Sequence, residues 1–333
     1  MSWGPCCDYL TLLPLNGDVF LPFSSQLSMS HTTHIELRRH LPRGVKQIIA
    51  SGGGCWIGEV DTSTVLKFPH TVEEMKCIRI EAQILGVLGN HPRIIQSKGL
   101  TEDGLLLEFA PNGNLHDYLT THPEASLEQR LAWCIQLTEA VAYIHSKRTL
   151  HCDLRHDNIL LDLDLNLKLA DFQGQHFSAN GDILFDGLSL ESTKAYLPRN
   201  PADHASIRTD LFALGSALYF IIMGHEVFSN LDSFKDEDEI ARRFSAGEYP
   251  FDPHICATIT EKCWKQLYSS AGQVWTDLVH VQEAIARGEK LESVSGTHAL
   301  PPTVAWLSGL CDETQTPKAP PLYRQLVGFQ QKH

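Results

Sequence analysis

The chain has 333 residues, of which 43% are hydrophobic and 20% charged, a composition that predicts a soluble globular protein and excludes a disordered, collagen-like or coiled-coil chain. Aspartate and glutamate total 40 against 27 lysines and arginines, and this net charge of −13 argues against a general affinity for nucleic acid or an anionic membrane. The longest apolar stretch, residues 211–223, is shorter than the ~20 residues that a bilayer requires, so no transmembrane segment is expected.

Cysteine usage predicts an intracellular protein, in the cytoplasm or the nucleus. Most of the nine cysteines lie in apolar segments, as Cys134 and Cys263 do, which is typical of buried thiols in a reducing compartment. No two cysteines have the CxxC spacing of a zinc site. Residues 1–5 have no basic start and no apolar run after them, so no signal peptide is expected.

The first third of the chain predicts an extension followed by a small sheet. Residues 1–45 have no sustained period and are expected to form an extension of uncertain order. From 47 to 68, β-rich runs surround the glycines 52–54 and predict antiparallel strands. Residues 73–88 carry a helical apolar stripe, and the continuous apolar run 105–109 indicates a buried strand.

The rest of the chain is predicted to be mainly helical. Apolar positions recur at helical spacing over 131–144, and 209–223 is apolar almost all round, as a buried central helix is. The acidic run 236–239 is typical of a helix start, where carboxylates interact favourably with the helix dipole. The pattern predicts an α+β, two-lobed fold: a domain over 46–288 with an N-lobe (46–110) and a C-lobe (111–288) around a cleft, and a tail over 289–333.

The segment 151–158, His-Cys-Asp-Leu-Arg-His-Asp-Asn, carries the most informative chemistry. A carboxylate such as Asp153 can orient a hydroxyl nucleophile and accept its proton. Asn158 and, thirteen residues later, Asp171 supply hard oxygen atoms suited to magnesium. Carboxylates and magnesium beside a glycine-rich loop and a fixed amine are what phosphoryl transfer requires.

These residues resemble those of the eukaryotic-type protein kinases, from about Lys46 to about Gly288. The chain is similar to a divergent serine/threonine-like member, in the style of protein-kinase-like families of filamentous fungi. The resemblance implies a protein substrate with a Ser or Thr hydroxyl as the partner, and ATP and Mg²⁺ as cofactors. It implies catalytic roles for Asp153, Lys67 and Arg155, ATP contacts at Gly53, Gly54, Gly58, Val60, Lys67, Glu81, Glu108 and Ala110, and metal ligation by Asn158 and Asp171.

Four departures from the family pattern bear on activity. Cys152 stands where many kinases have a phosphate-binding arginine, so activity is expected to be independent of activation-loop phosphorylation through that pocket. Gln173 replaces a glycine and restricts the backbone, and Arg155 replaces the usual lysine with a planar cation. Arg199 stands where the family has a glutamate that pairs with a late arginine; 270–273 contains no arginine, so both partners are expected to be absent together.

Three alternatives stay open at this level. Thr193 and Tyr196 match a T-x-x-Y pattern that favours Ser/Thr acceptors, whereas Arg155 leaves tyrosine acceptors possible. The irregular glycine loop with Cys55, together with Gln173 and Arg199, is compatible with a pseudokinase or scaffold that binds nucleotide or a partner. A small-molecule kinase shares the H-x-D…N arrangement but fits the helix starting at Asp210 less well. The oligomeric state is left unassigned.

Overall fold

The computed structural model describes residues 41–200 and 202–289. The predicted extension up to residue 40 and the predicted tail from residue 290 lie outside the described residues. The strands are β1 (Gln47–Gly52), β2 (Cys55–Asp61), β3 (Thr64–Pro69), β4 (Ser97–Leu100), β5 (Leu105–Glu108), β6 (Thr149–Leu150), β7 (Ile159–Leu161), β8 (Leu167–Leu169), β9 (Gln175–Phe177) and β10 (Ile183–Asp186). The helices are α1 (Met75–Leu88), α2 (Leu115–Thr121), α3 (Leu127–Ser146), α4 (Ile207–Met223), α5 (Glu237–Ser245), α6 (Ala257–Trp264) and α7 (Ala271–Ala286).

The N-lobe is a five-stranded antiparallel sheet in the order β1-β2-β3-β5-β4, with α1 packed against it. Helix α1 follows a capping box in which Thr71 and Glu74 satisfy each other's backbone N–H groups. Its apolar stripe buries Ile78, Ile84 and Leu88. The stripe ends at Gly89, whose φ of 66° lets the chain leave the helix.

The C-lobe is built around α4, which is buried on nearly all sides and lies against α3 and α6. The contact with α6 depends on Gly215, where an added Cβ would lie 2.7 Å from the Cβ of Cys263. Helix α3 also packs along α7, so the long apolar stripe is covered on two sides. The two-lobed α+β architecture that the sequence predicts is therefore present in the described residues.

Helix α4 is joined to the start of α3 through one buried cation. The guanidinium of Arg130 donates to the carbonyl of Ile221 in the last turn of α4 (2.8 Å) and to the carbonyls of Pro123 (3.0 Å) and Ala125 (3.1 Å). Arg130 is 8% exposed. Because the last carbonyls of a helix have no partners within it, this cation satisfies one and complements the helix dipole.

Two small sheets position the polar loops of the C-lobe at the edge that faces the N-lobe. The antiparallel pair β7–β8 follows the segment 151–158, and β9 pairs with both β6 and β10. No helix among the described residues has the length and apolar character needed to cross a membrane.

Candidate active site

Lys67 connects three parts of the molecule at the cleft. From β3, its Nζ lies 2.6 Å from Oε2 of Glu81 on α1 and 2.5 Å from Oδ1 of Asp171 in the C-lobe. The Lys67 side chain is 8% exposed and that of Glu81 is fully buried. Burial alone would lower the pKa of Lys67, but Asp171 and Glu81 outweigh it and raise the pKa above its usual value, which keeps the ammonium charged.

The segment that carries Asp171 is fixed on both sides. Asp171 has a left-handed φ of 64°, and Phe172 is fully buried beside the ring of His151, 5.1 Å between centroids. The amide of Gln173 donates to Oε2 of Glu81 at 3.4 Å. The residue that replaces a glycine in the family pattern therefore adds a second link between this segment and α1.

Asp153 and Asn158 form a closed pair in the catalytic loop, residues 151–158. The Asn158 amide donates to the backbone carbonyl of Asp153 (2.9 Å) and to its Oδ2 (3.0 Å). Oδ1 of Asp153 is buried and accepts no hydrogen bond within the described chain. Burial raises the pKa of Asp153 to about 7; Arg155 opposes this shift and Asp171 adds to it.

The base of the catalytic loop is held by His151 and Asp210. His151 Nε2 donates to the carbonyl of Ala170 (2.9 Å), and its Nδ1 accepts the N–H of Asp153 (3.3 Å). Asp210, in the first turn of α4, accepts the backbone N–H groups of His151 (2.9 Å) and Cys152 (3.0 Å). His151 and Asp210 therefore hold the main chain of the loop in place from below.

A second network lies on the other side of the loop. Arg155 donates to the Asp157 carboxylate, and the two nitrogens of His156 lie 3.2 Å from Asp157 and 3.1 Å from Glu226. Glu226 also accepts from Lys194 at 3.0 Å. Although burial lowers the pKa of His156, the neighbouring carboxylates of Asp157 and Glu226 raise it overall. This network links His156 and Asp157 of the catalytic loop to Lys194 of the segment that follows Asp171.

The glycine loop forms a hairpin between β1 and β2. Strands β1 and β2 pair with Gly52 opposite Cys55, so Gly53 and Gly54 form the tip of a tight hairpin. Ile57 lies opposite Lys67 on β3. Gly58, one residue on, faces the other side of the sheet, where an added Cβ would meet Val45 and Phe68.

Val60 lies at the β-bulge near the far end of β2, between the paired residues Glu59 and Asp61. The ATP contacts of Gly58 and Val60 stay predictions. Cys55 and Ile57 lie on the same face of the sheet as Lys67. Burial raises the pKa of the Cys55 thiol to about 12; Lys67 opposes this shift, and Glu81 and Asp171 add to it.

Glu108 is the last residue of β5 and Ala110 follows two residues later, where the two lobes meet. The Glu108 carboxylate pairs with Lys168 (2.9 Å) and accepts the N–H of Gln96 (3.1 Å). Because its side chain is engaged, a ligand here would meet main-chain groups. Their contact with adenine stays a prediction.

Arg199 has a partner of its own. The glutamate–arginine pair of the family pattern was predicted to be absent, and Arg199 instead donates to Oε2 of Glu191 at 3.0 Å. Its guanidinium also lies 4.6 Å from the centre of the Tyr196 ring. Glu191 and Arg199 both belong to the activation segment, residues 171–199. Their pair is therefore local in sequence, whereas the family pair is long-range.

The oxygen atoms at the cleft suit a cation that is bound partly by the protein and partly by phosphate. Asp171 and Asn158 provide one carboxylate and one amide, and within 41–200 and 202–289 no group of three or more His, Cys, Asp and Glu side chains is arranged to hold a metal. Magnesium is ordinarily bound through one or two protein ligands plus phosphate oxygens and water, so this small set fits it.

Comparison with known proteins defines the class. The model of the protein kinase domain matches residues 64–284, and the chain belongs to this family. Human NUAK family SNF1-like kinase 1 is 32% identical over 183 residues, 53% of this chain and 27% of that protein. Human NUAK family SNF1-like kinase 2 is 29% identical over 187 residues, 54% of this chain and 29% of that protein. Chicken serine/threonine-protein kinase SIK2 is 34% identical over 148 residues, 43% of this chain and 18% of that protein. The chain matches less than a third of the length of these relatives.

Proposed function

We propose that the protein transfers the γ-phosphate of Mg-ATP to a serine or threonine hydroxyl of a protein substrate. The observation that carries the proposal is the convergence of Lys67, Glu81 and Asp171 at one ammonium group. The Asp153–Asn158 pair lies in the same cleft. In the proposed reaction, Asp153 acts on the hydroxyl and Asn158 on the metal. The serine/threonine preference is supported by the relatives and by Thr193.

Each side chain has a role that its surroundings permit. Lys67, kept charged by two carboxylates, binds phosphate oxygens, while Glu81 holds the ammonium in place. The free Oδ1 of Asp153 orients the acceptor hydroxyl and takes its proton. Arg155, anchored by Asp157, adds positive charge beside this loop.

Magnesium, when bound, neutralises charge on the phosphates. The side-chain NH₂ of Asn158 donates two hydrogen bonds to Asp153, so the side-chain oxygen of Asn158 is the atom that would bind the cation. Asp171 offers Oδ2, since Lys67 takes Oδ1. In this proposal, the phosphate side of the cleft is enclosed by Gly53, Gly54, Cys55 and Ile57. Adenine is bound by the main chain at Glu108 and Ala110.

The test is transfer of labelled γ-phosphate from Mg-ATP to the protein itself and to generic protein acceptors. Wild type is compared with Asp153→Asn, which keeps the shape and the Asn158 contact but removes the base. We expect label on serine or threonine in the wild type and a loss of at least about 100-fold in the variant. Label on tyrosine, or on small alcohols and aminoglycosides alone, would contradict the proposed acceptor class.

The same assay separates the alternative of an inactive nucleotide-binding scaffold. The buried Cys55 thiol beside Lys67 favours that alternative, because it places a side chain where a glycine would leave room for phosphate. No transfer, with Mg-ATP still raising the melting temperature, would replace the enzyme by the scaffold. We place the protein in the cytoplasm or nucleus, in keeping with the six free cysteines of the described chain.

A further inference from the structure

The Glu191–Arg199 pair is buried far more than a surface ion pair. The Glu191 side chain is 3% exposed and that of Arg199 is 15% exposed. Arg199 is further fixed by the carbonyl of Leu197 (3.3 Å) and by the Tyr196 ring. A buried, multiply bonded pair of this kind sets a conformation, since breaking it leaves a charge without compensation.

The Glu191 carboxylate lies close enough to act on Cys152, the residue that stands where many kinases have an arginine before the catalytic aspartate. Cys152, which replaces that arginine, is 2% exposed. Burial raises the pKa of its thiol, and the carboxylates of Asp210, Glu191 and Asp186 act in the same direction. The surroundings of Cys152 are therefore already anionic, and a phosphate added here would meet repulsion.

The segment before Glu191 is also ordered by its own contacts. Strand β9 pairs with β6 and β10, and Gln175 donates to Asp186 at 3.0 Å. The chain then returns against Gln173, whose carbonyl accepts the N–H of Ser189 at 3.2 Å. Gly187 is required at this crossing, because an added Cβ would lie 2.3 Å from the Gln173 carbonyl oxygen.

The pair encloses the part of the segment that adjoins the catalytic loop. Between Glu191 and Arg199 lies a short 3-10 helix, Thr193–Ala195. Ser192, Lys194 and Ala195 line one small cavity together with Leu154 and Arg155 of the catalytic loop. The geometry of residues 191–199 therefore decides what approaches Asp153 from the protein-substrate side.

We propose that Glu191 and Arg199 are positioning residues that hold the activation segment in its substrate-binding shape without phosphorylation. The proposal rests on the proposed kinase function and concerns the regulation of the same site. Glu191 supplies the fixed negative charge that a phosphate supplies in phosphorylated kinases. Arg199 supplies the positive charge that Cys152 does not provide.

The experiment compares phosphatase-treated, full-length wild type with Arg199→Gln, Glu191→Gln and the double variant. We expect the unphosphorylated wild type to be active and each single variant to lower kcat/KM for the protein acceptor about tenfold, with KM for Mg-ATP unchanged. The double variant should be no worse than either single one, and Arg199→Lys should recover part of the loss. A general structural defect would not produce this split between the two substrates.

The matched control is Arg243→Gln. Arg243 also joins an ion pair, 2.7 Å to Glu239, and lies over an aromatic ring, 5.3 Å from the centre of Phe228, but on α5. It should leave kcat/KM unchanged.

A second measurement is independent of transfer. Amide hydrogen exchange over 183–199 should be slow in the unphosphorylated wild type and in Arg243→Gln, and faster in Arg199→Gln. Fast exchange in the wild type that slows on phosphorylation, or an Arg199→Gln segment as protected as wild type, would overturn the proposal. If exchange is as expected but no protein transfers phosphate, the proposed function fails while the positioning role stands.

Discussion

Gln173 shows how a single residue can alter the coupling between lobes. A glycine at this position would leave the backbone free, whereas the glutamine reaches Oε2 of Glu81, the oxygen that also accepts from Lys67. The bond of 3.4 Å is long, but its acceptor is a buried charged oxygen, where even a weak donor counts. Gln173 thus favours the arrangement in which α1 and the Asp171 segment stay together.

We predict graded effects of two substitutions at Gln173. Gln173→Leu removes the donor at similar volume and should lower kcat/KM for transfer about two- to fivefold, the value of one modest hydrogen bond. Gln173→Glu places a carboxylate against Glu81 and should cost more than about tenfold, because like charges repel in a buried site. Steady-state transfer with varied Mg-ATP measures both. Equal activity of the Glu variant and wild type would show that Gln173 does not contact Glu81.

At the scale of elements, the runs of apolar residues were sufficient to predict β3, β5, α1, α3 and α4. The register of the β1–β2 hairpin was not predictable, because three consecutive glycines and Gly58 fit more than one alignment with the family pattern. Cross-strand pairing decides between them by placing Gly52 opposite Cys55. Two- and three-residue strands such as β6 and β9 were missed, since so short a run carries no period.

The junction of α3 and α4 carries a stability prediction. Arg130→Met keeps the apolar stem but removes donors from the carbonyls of Ile221, Pro123 and Ala125. We expect the free energy of unfolding to fall by about 2 kcal/mol, as buried acceptors lose their partners. Urea denaturation measures this change. The control is Arg208→Met, at an exposed arginine of α4, which we expect to change the free energy of unfolding by less than ~0.5 kcal/mol. A change no larger than the control's would contradict it.

At the scale of the whole molecule, the contacts that complete the site join residues far apart in sequence. Asp153, Asn158 and Asp171 were identifiable because their spacing is local and distinctive. Glu226 pairs with His156 across 70 residues and with Lys194 across 32, so no local pattern indicated them. Glu191 and Arg199 are close in sequence, but their pairing depends on how β9 and β10 turn the chain back.

Folding also keeps His254 neutral, which makes the molecule sensitive to acid. Burial lowers the pKa of His254 to about 4, against a small opposing effect of Asp252. Its ring lies edge-on to Tyr219, 5.5 Å between centroids, and 3.4 Å from the hydroxyl of Thr260. In the unfolded chain the pKa is about 6.5. Between these values the unfolded state binds the proton and the folded state does not, so this group lowers stability as the pH falls from about 6.5 towards 4.

We therefore expect the free energy of unfolding of His254→Gln to depend less steeply on pH than that of wild type between about pH 6.5 and 4.5. Urea titrations of the two proteins across that window measure the difference. Other histidines with lowered pKa values, such as His91 and His176, contribute equally to both proteins and cancel. Parallel curves would show that folding does not shift the pKa of His254.

Asp210 holds two backbone N–H groups of the catalytic loop from the first turn of the most deeply buried helix. The loop thereby takes its shape from the interior of the C-lobe, while the glycine hairpin takes its shape from its own strand pairing. The two halves of the cleft consequently differ in their tolerance of sequence drift. The hairpin can exchange a glycine for Cys55 and remain a hairpin, whereas a change at Asp210 would reach the loop and the core together.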